Sequence, residues 1–149
     1  MQELQIKEQL KSAIQIYKKT KDKRAGEIVE HLNKILSTSQ ARKTLLQYAT
    51  HIYPQYKDPA HIRLIAKNLE LLEKGEITRL AVFMPPRHGK SMLCSEFFPA
   101  WYLGNNPNEF VIQATYAQEL ADDFGRKVRN QIISPDFNNV FPHVGLRAD

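Results

Sequence analysis

The stretch "LAVFMPPRHGKSMLC", residues 80–94, decides how this chain is read. A short apolar run leads into Gly89-Lys90-Ser91, the closing half of the nucleotide-cradling pattern in which a glycine, four residues and Gly-Lys-Ser/Thr follow a strand. Met84 stands where the opening glycine belongs, and Pro85 and Pro86 follow it. A loop of this kind holds anions by turning several backbone N–H groups inward, with the dipole of the following helix behind them. Proline has no N–H, so the donors must come from Arg87, His88, Gly89, Lys90 and Ser91. Gly89 permits close approach, Lys90 reaches toward the β/γ-phosphates and Ser91 supplies a hydroxyl for Mg²⁺. Arg87 places a planar cation beside the γ-phosphate position, where charge develops during hydrolysis. ATP and Mg²⁺ are therefore the expected cofactors, Ser91 the metal-side ligand, and Arg87 and Lys90 the catalytic candidates. His88 reads either as a further phosphate contact or as a solvent-exposed ring.

Working outward, "RLAVFM" (79–84) is the nearly continuous apolar run expected of a strand covered on both faces. "KSMLCSEFFPAWYLG" (90–104) reads as a helix that Pro99 kinks or ends. "FVIQATY" (110–116) has the composition of a second strand. A helix over 115–133 follows, with Thr115 and Gln118 at capping-box spacing and Leu120, Phe124 and Val128 on one face; Ser134-Pro135 ends it. Strand, loop, helix, strand, helix is the grammar of an α/β domain with a parallel sheet, and the loop sits where such sheets bind phosphate.

Upstream, residues 60–75 carry Ile62, Ile65, Leu69 and Leu72 on one helical stripe that Gly75 stops. "PQYKDP" (54–59) reads as a linker, so the expected division is a basic helical segment at 1–53 and the α/β portion at 54–149. Within 1–53 the apolar spacing predicts helices over 3–18 and 27–36 and another through "STSQARKTLLQYATHIY". Cys94, Phe97, Phe98, Trp101 and Tyr102 read as packed residues. Tyr53, Gln55 and Tyr56 read either as a nucleobase platform or as an aromatic pair closing a helix.

The chain has 149 residues, enough for one domain with a real core. No run approaches a membrane span, the amino terminus lacks a signal core, and a single cysteine suits a reducing, cytosolic setting. The net charge of +5 lies wholly in residues 1–50, which hold ten Lys/Arg against five Asp/Glu. Its cluster, "KKTKDKRAGE" (18–27), is either a footprint for nucleic acid or a solvated helix face.

The stretch "GEITRLAVFMPPRHGKS", with "FFPAWYLGNNPNEFVIQATYAQELADDFGRKVRN" after it, resembles the amino-terminal ATPase domain of the large terminase subunit of tailed bacteriophages and prophages. The resemblance runs from about Tyr56 to Pro142. It implies a P-loop ATPase core of the RecA/ASCE-like kind, preceded here by the helical segment. It also implies a DNA-packaging motor acting on double-stranded DNA in the bacterial cytoplasm, with the small terminase subunit and the portal as partners and a ring only in the complete protein. By the same resemblance Arg87, Gly89, Lys90 and Ser91 take the roles set out above. The Asp-Glu pair that activates water in this family does not occur in 110–149, and Asp122-Asp123 sits in a helical pattern; the nuclease domain is absent too. The expectation is thus an ATP-binding, truncated or remnant form with little turnover alone. Strands 79–84 and 110–116 would be first and second in the family's sheet order of five-one-four-three-two, so they would not be neighbours. The contrasting reading is a non-catalytic DNA- or protein-binding module built on the basic helices of 1–50.

Overall fold

In the computed structural model, residues 2–146 are described, and their regular structure is entirely helical. The elements are α1 (Gln2–Thr20), α2 (Lys23–Lys43), α3 (Leu45–Ile52), α4 (Ala60–Glu73), a π-helical stretch (Met92–Phe97) continuing into α5 (Phe98–Asn105), α6 (Gln118–Ile132) and α7 (Pro135–Val140). The chain divides into two compact units after Gln40.

The expected α/β class, with a parallel-sheet P-loop core, is corrected by this structure: no strand occurs among the described residues. Residues 79–85 and 109–115 carry no regular structure and make no ladder. A strand is a two-body object, since its N–H and C=O groups need a neighbour at ladder spacing, and these segments have none. Their side chains follow suit. Leu80, Val82 and Met84 pack against the core while Phe83, between them, is 93% exposed. Phe110, Ile112 and Tyr116 are exposed above 90%. The apolar run at 79–84 is therefore half-covered, where continuous hydrophobicity had suggested burial on both faces.

In the first unit, α1 and α2 are joined by Lys21, at φ +53°, and Asp22. α2 is longer than its apolar pattern predicts. It runs straight through "STS" because Ser37 and Thr38 turn their hydroxyls back onto the Lys34 carbonyl, satisfying themselves inside the helix. The break falls instead at Thr44, which is extended at φ −133°.

The second unit is built around Tyr48, a fully buried residue of α3. Its ring meets Phe97 and Phe137 edge-on, at centroid distances of 6.5 and 6.3 Å, and Phe141 at 6.1 Å. Edge-to-face packing of this kind aligns the positive rim of one ring with the negative face of another. The hydroxyl donates to Gln131 Oε1 at 3.2 Å, and burial pushes its pKa well above the usual phenol range. Trp101 is buried in the same core and donates from Nε1 to the Ala41 and Arg42 carbonyls at 3.1 and 3.2 Å. Glu70 of α4 reaches the first amide of α3, accepting from Leu45 N at 2.8 Å, and so supplies the cap that Thr44 does not. α4 presents Ile62, Ile65 and Leu69 to this core, as its stripe predicts, together with Ala66, while Leu72 packs at the core's edge, and the helix ends at Gly75, at φ +72°.

Pro99 neither ends nor breaks the helix that carries it. It cannot donate to the Ser95 carbonyl four residues earlier, and the helix loosens into π geometry through Met92–Phe97 just ahead of it. The Ser95 oxygen takes a different donor, Gln113 Nε2, at 2.7 Å. That bond ties the exposed segment around Phe110 and Ile112 to the helix. The capping box expected at α6 is also corrected. Thr115 Oγ1 donates to the Ala117 carbonyl at 2.6 Å, and Ala117 stands at the N-cap with no side-chain bond. Ser134 ends α6 as predicted, but it also opens α7 by accepting from Phe137 N at 3.2 Å.

Candidate functional site

The loop from Met84 to Met92 lines a cleft of about 420 Å³. Its shape follows from two residues in the left-handed region, Arg87 at φ +65° and Gly89 at φ +80°. Glycine takes that conformation freely, whereas it costs an L-residue such as arginine about 1–2 kcal/mol. The helix after the loop starts at Lys90, and its first bond is donated by Leu93 N to the Gly89 carbonyl at 3.1 Å. Pro86 and Arg87 form a turn that the His88 amide closes, and among the described residues the amides of Gly89 through Met92 donate to no backbone carbonyl. They form a run of free N–H groups at the opening of a helix, which is the electrostatic setting that attracts an anion.

The side chains add positive charge. Arg87, His88 and Ser91 are exposed and Lys90 is half-buried. His88 Nδ1 lies 2.8 Å from the Pro86 carbonyl oxygen. A carbonyl only accepts, so this bond places a proton on Nδ1. The Lys90 ammonium lies near the Cys94 thiol, one helical turn on. Burial raises that thiol's pKa, and Lys90 partly offsets the rise.

A second cleft of about 300 Å³ shares Arg87, His88 and Gly89 with the first and is closed on its other side by Tyr56, Lys57, Pro59, His61 and Ile62. The His61 and His88 rings meet edge-on at 5.9 Å. Tyr56 packs its ring on Phe97 at 5.1 Å, and its hydroxyl is buried without a hydrogen-bond partner among the described residues. Burial, with Cys94 as a lesser cause, moves that hydroxyl's pKa up to about 12. Gly89 fits closely against this wall: a Cβ there would stand 3.4 Å from Ile62 Cδ1 and 3.7 Å from Tyr56 Oη.

Five residues expected at the phosphate site, Arg87, His88, Gly89, Lys90 and Ser91, thus line one cleft. Of the three aromatic-platform candidates, Tyr56 borders the adjoining cleft, whereas the exposed Tyr53 bonds Gln55, Oη to Oε1 at 3.2 Å. His61 had no signal in the sequence, because its link to the loop is a contact between distant residues. No carboxylate lines either cleft, and no group of three or more His, Cys, Asp or Glu side chains able to hold a metal occurs among the described residues. Asp123 is paired within its own helix. It binds Arg126 at 2.6 Å and Lys127 at 3.0 Å, and these bonds, that to Lys127 first, hold its pKa below the usual carboxylate range. No helix among the described residues is long and apolar enough to cross a membrane.

No known protein family, curated protein or solved structure matches the chain.

Proposed function

We propose that the loop from Met84 to Met92 binds the phosphate groups of ATP together with Mg²⁺. On this reading the chain is the ATP-binding portion of a viral DNA-packaging motor of the large-terminase kind. The observation that carries the binding is the run of free amides from Gly89 to Met92, ringed by Arg87, His88 and Lys90 over one cleft. The motor itself rests on the resemblance of the loop and its flanks. With ATP and Mg²⁺ bound, the amides and Lys90 would neutralise phosphate charge, Arg87 would add a second cation, and Ser91 would supply one oxygen to the metal. Water activation needs a base, and no carboxylate of a described residue lines the cleft, so binding with little turnover is the behaviour this reading expects. Double-stranded DNA, the small terminase subunit and the portal are the partners in this reading, and the bacterial cytoplasm is its location.

Calorimetric titration with Mg²⁺ and a non-hydrolysable ATP analogue tests it. Saturable binding that Lys90→Ala weakens by about tenfold, or about 1.4 kcal/mol, supports the assignment. A folded chain that binds no analogue refutes it.

A second reading, a DNA- or protein-binding module, is favoured by the exposure of Lys18, Lys19, Lys21, Lys23 and Arg24 around the turn between α1 and α2. It predicts duplex binding that falls steeply with salt and survives Lys90→Ala.

A further inference from the structure

The second cleft, of about 300 Å³, has a chemistry of its own. Arg87 and His88 line both clefts, Lys90 and Ser91 only the first, and Lys57 and His61 only the second. One of its walls, at Pro59, His61 and Ile62, is the start of α4. That helix has no acidic residue in its first turn and no side-chain cap, and Arg63 N donates its first bond to the Pro59 carbonyl at 3.1 Å. The amides of Ala60, His61 and Ile62 are left without an acceptor among the described residues. A helix start in that state carries partial positive charge.

The side chains add to it. Lys57 and Arg87 stand in no ion pair among the described residues. Asp58, next to Lys57 in the chain, does not line the cleft and reaches Arg63 at 3.6 Å. The rings of His61 and His88 meet at 5.9 Å and bring two more groups able to donate. Tyr56 borders the cleft as well, with its buried hydroxyl still lacking a partner among the described residues, and a buried donor so placed is costly.

Cations gathered without a counter-charge repel one another. Here a lysine, an arginine, two imidazoles and three helix-start amides converge with no carboxylate of a described residue among them. We infer that the second cleft binds a phosphate group other than those of ATP, carried by inorganic phosphate or by a phosphomonoester. A tetrahedral dianion accepts from several sides at once and matches both the lysine and the arginine. The cleft is at the lower end of ligand-site volumes, which suits one such group.

Proton NMR of the His61 and His88 rings in the full chain tests this, with inorganic phosphate replacing chloride at fixed pH and an ionic strength of about 0.15 M. Saturable shifts of the His61 ring are expected. Phosphoserine in place of phosphate separates the two sources, the tighter ligand naming the carrier. Lys57→Ala should raise the dissociation constant about threefold or more. Lys90→Ala should leave it within about twofold, because Lys90 does not line this cleft. The ATP analogue with Mg²⁺ should leave the response in place. A chain that answers to phosphate in this way but binds no analogue keeps this site and overturns only the ATP assignment. An unmoved His61 ring overturns the inference, and so does a response that Lys57→Ala spares, since the ion then sits elsewhere. Loss of the response once the analogue is bound overturns it too, because the nucleotide itself would then fill both clefts.

Discussion

Replacing Gly89 with alanine separates what the loop costs the fold from what it offers a ligand. The glycine sits at φ +80°, and holding an L-residue there costs about 1–2 kcal/mol. Crowding adds little, because the new Cβ would meet Ile62 Cδ1 at 3.4 Å and Tyr56 Oη at 3.7 Å, both ordinary contacts. The strain has two outlets. If Tyr56, Ile62 and the helix hold the loop in place, stability falls by the full amount, about 4–8 °C in Tm. If the loop escapes instead by rotating residue 89 to negative φ, stability is kept. The amides of Gly89 and Lys90 then turn away, and affinity for a phosphate ligand drops about tenfold. The two losses should sum to about 1–2 kcal/mol in Gly89→Ala, as read by scanning calorimetry and by titration with the ATP analogue. A variant unchanged in both to within about 0.3 kcal/mol would refute the reasoning, since the left-handed glycine would then have no part in shaping the cleft.

Three further outcomes are expected. A Cβ at Gly104 would run into the Phe141 ring, so Gly104→Ala should lower the free energy of urea unfolding by about 1–3 kcal/mol; a loss below about 0.5 kcal/mol would show that the ring moves aside freely. Gln113→Ala should cost about 1 kcal/mol by stripping the Ser95 carbonyl of its donor. The loss should shrink to about a third in a Pro99→Ala background, where residue 99 regains an N–H, and equal losses in both backgrounds would sink the account. Lys90 lowers the Cys94 pKa against the rise caused by burial. Its removal in Lys90→Ala should therefore raise that pKa, reduce the thiolate fraction at any pH below it, and shift the pH–rate curve for alkylation upward; a downward shift or none contradicts the contact.

Helices were legible wherever a stripe was long. The 60–75 pattern delivered α4 with Ile62, Ile65 and Leu69 buried as spaced, and Phe97 and Trp101 took the core places their composition suggested. Strands were not, because "RLAVFM" and "FVIQATY" carry β composition but composition does not provide a neighbour. Local hydroxyl chemistry misled in two opposite ways. Ser37 and Thr38 looked like a helix start and lie inside α2, and Thr115 looked like a cap and bonds Ala117. At the site the loop was legible residue by residue, since its chemistry is local. The wall facing it was only partly so: Tyr56 was noticed for its ring, while His61 reaches His88 through the fold alone.

The exposed segments flanking the loop and its helix bear on how the protein survives cutting. Phe83 and Phe110 lie outward on backbone with no regular structure, the kind of exposed segment where proteolytic nicking concentrates. Chymotrypsin acting after both would sever residues 84–110 from either side. That peptide would stay where it is, because Leu93, Phe97, Ala100 and Trp101 remain buried among residues of the remaining pieces. The phosphate loop would then travel as a separate, non-covalent insert, exchangeable for a synthetic peptide carrying any side chain one wished to place beside Lys90.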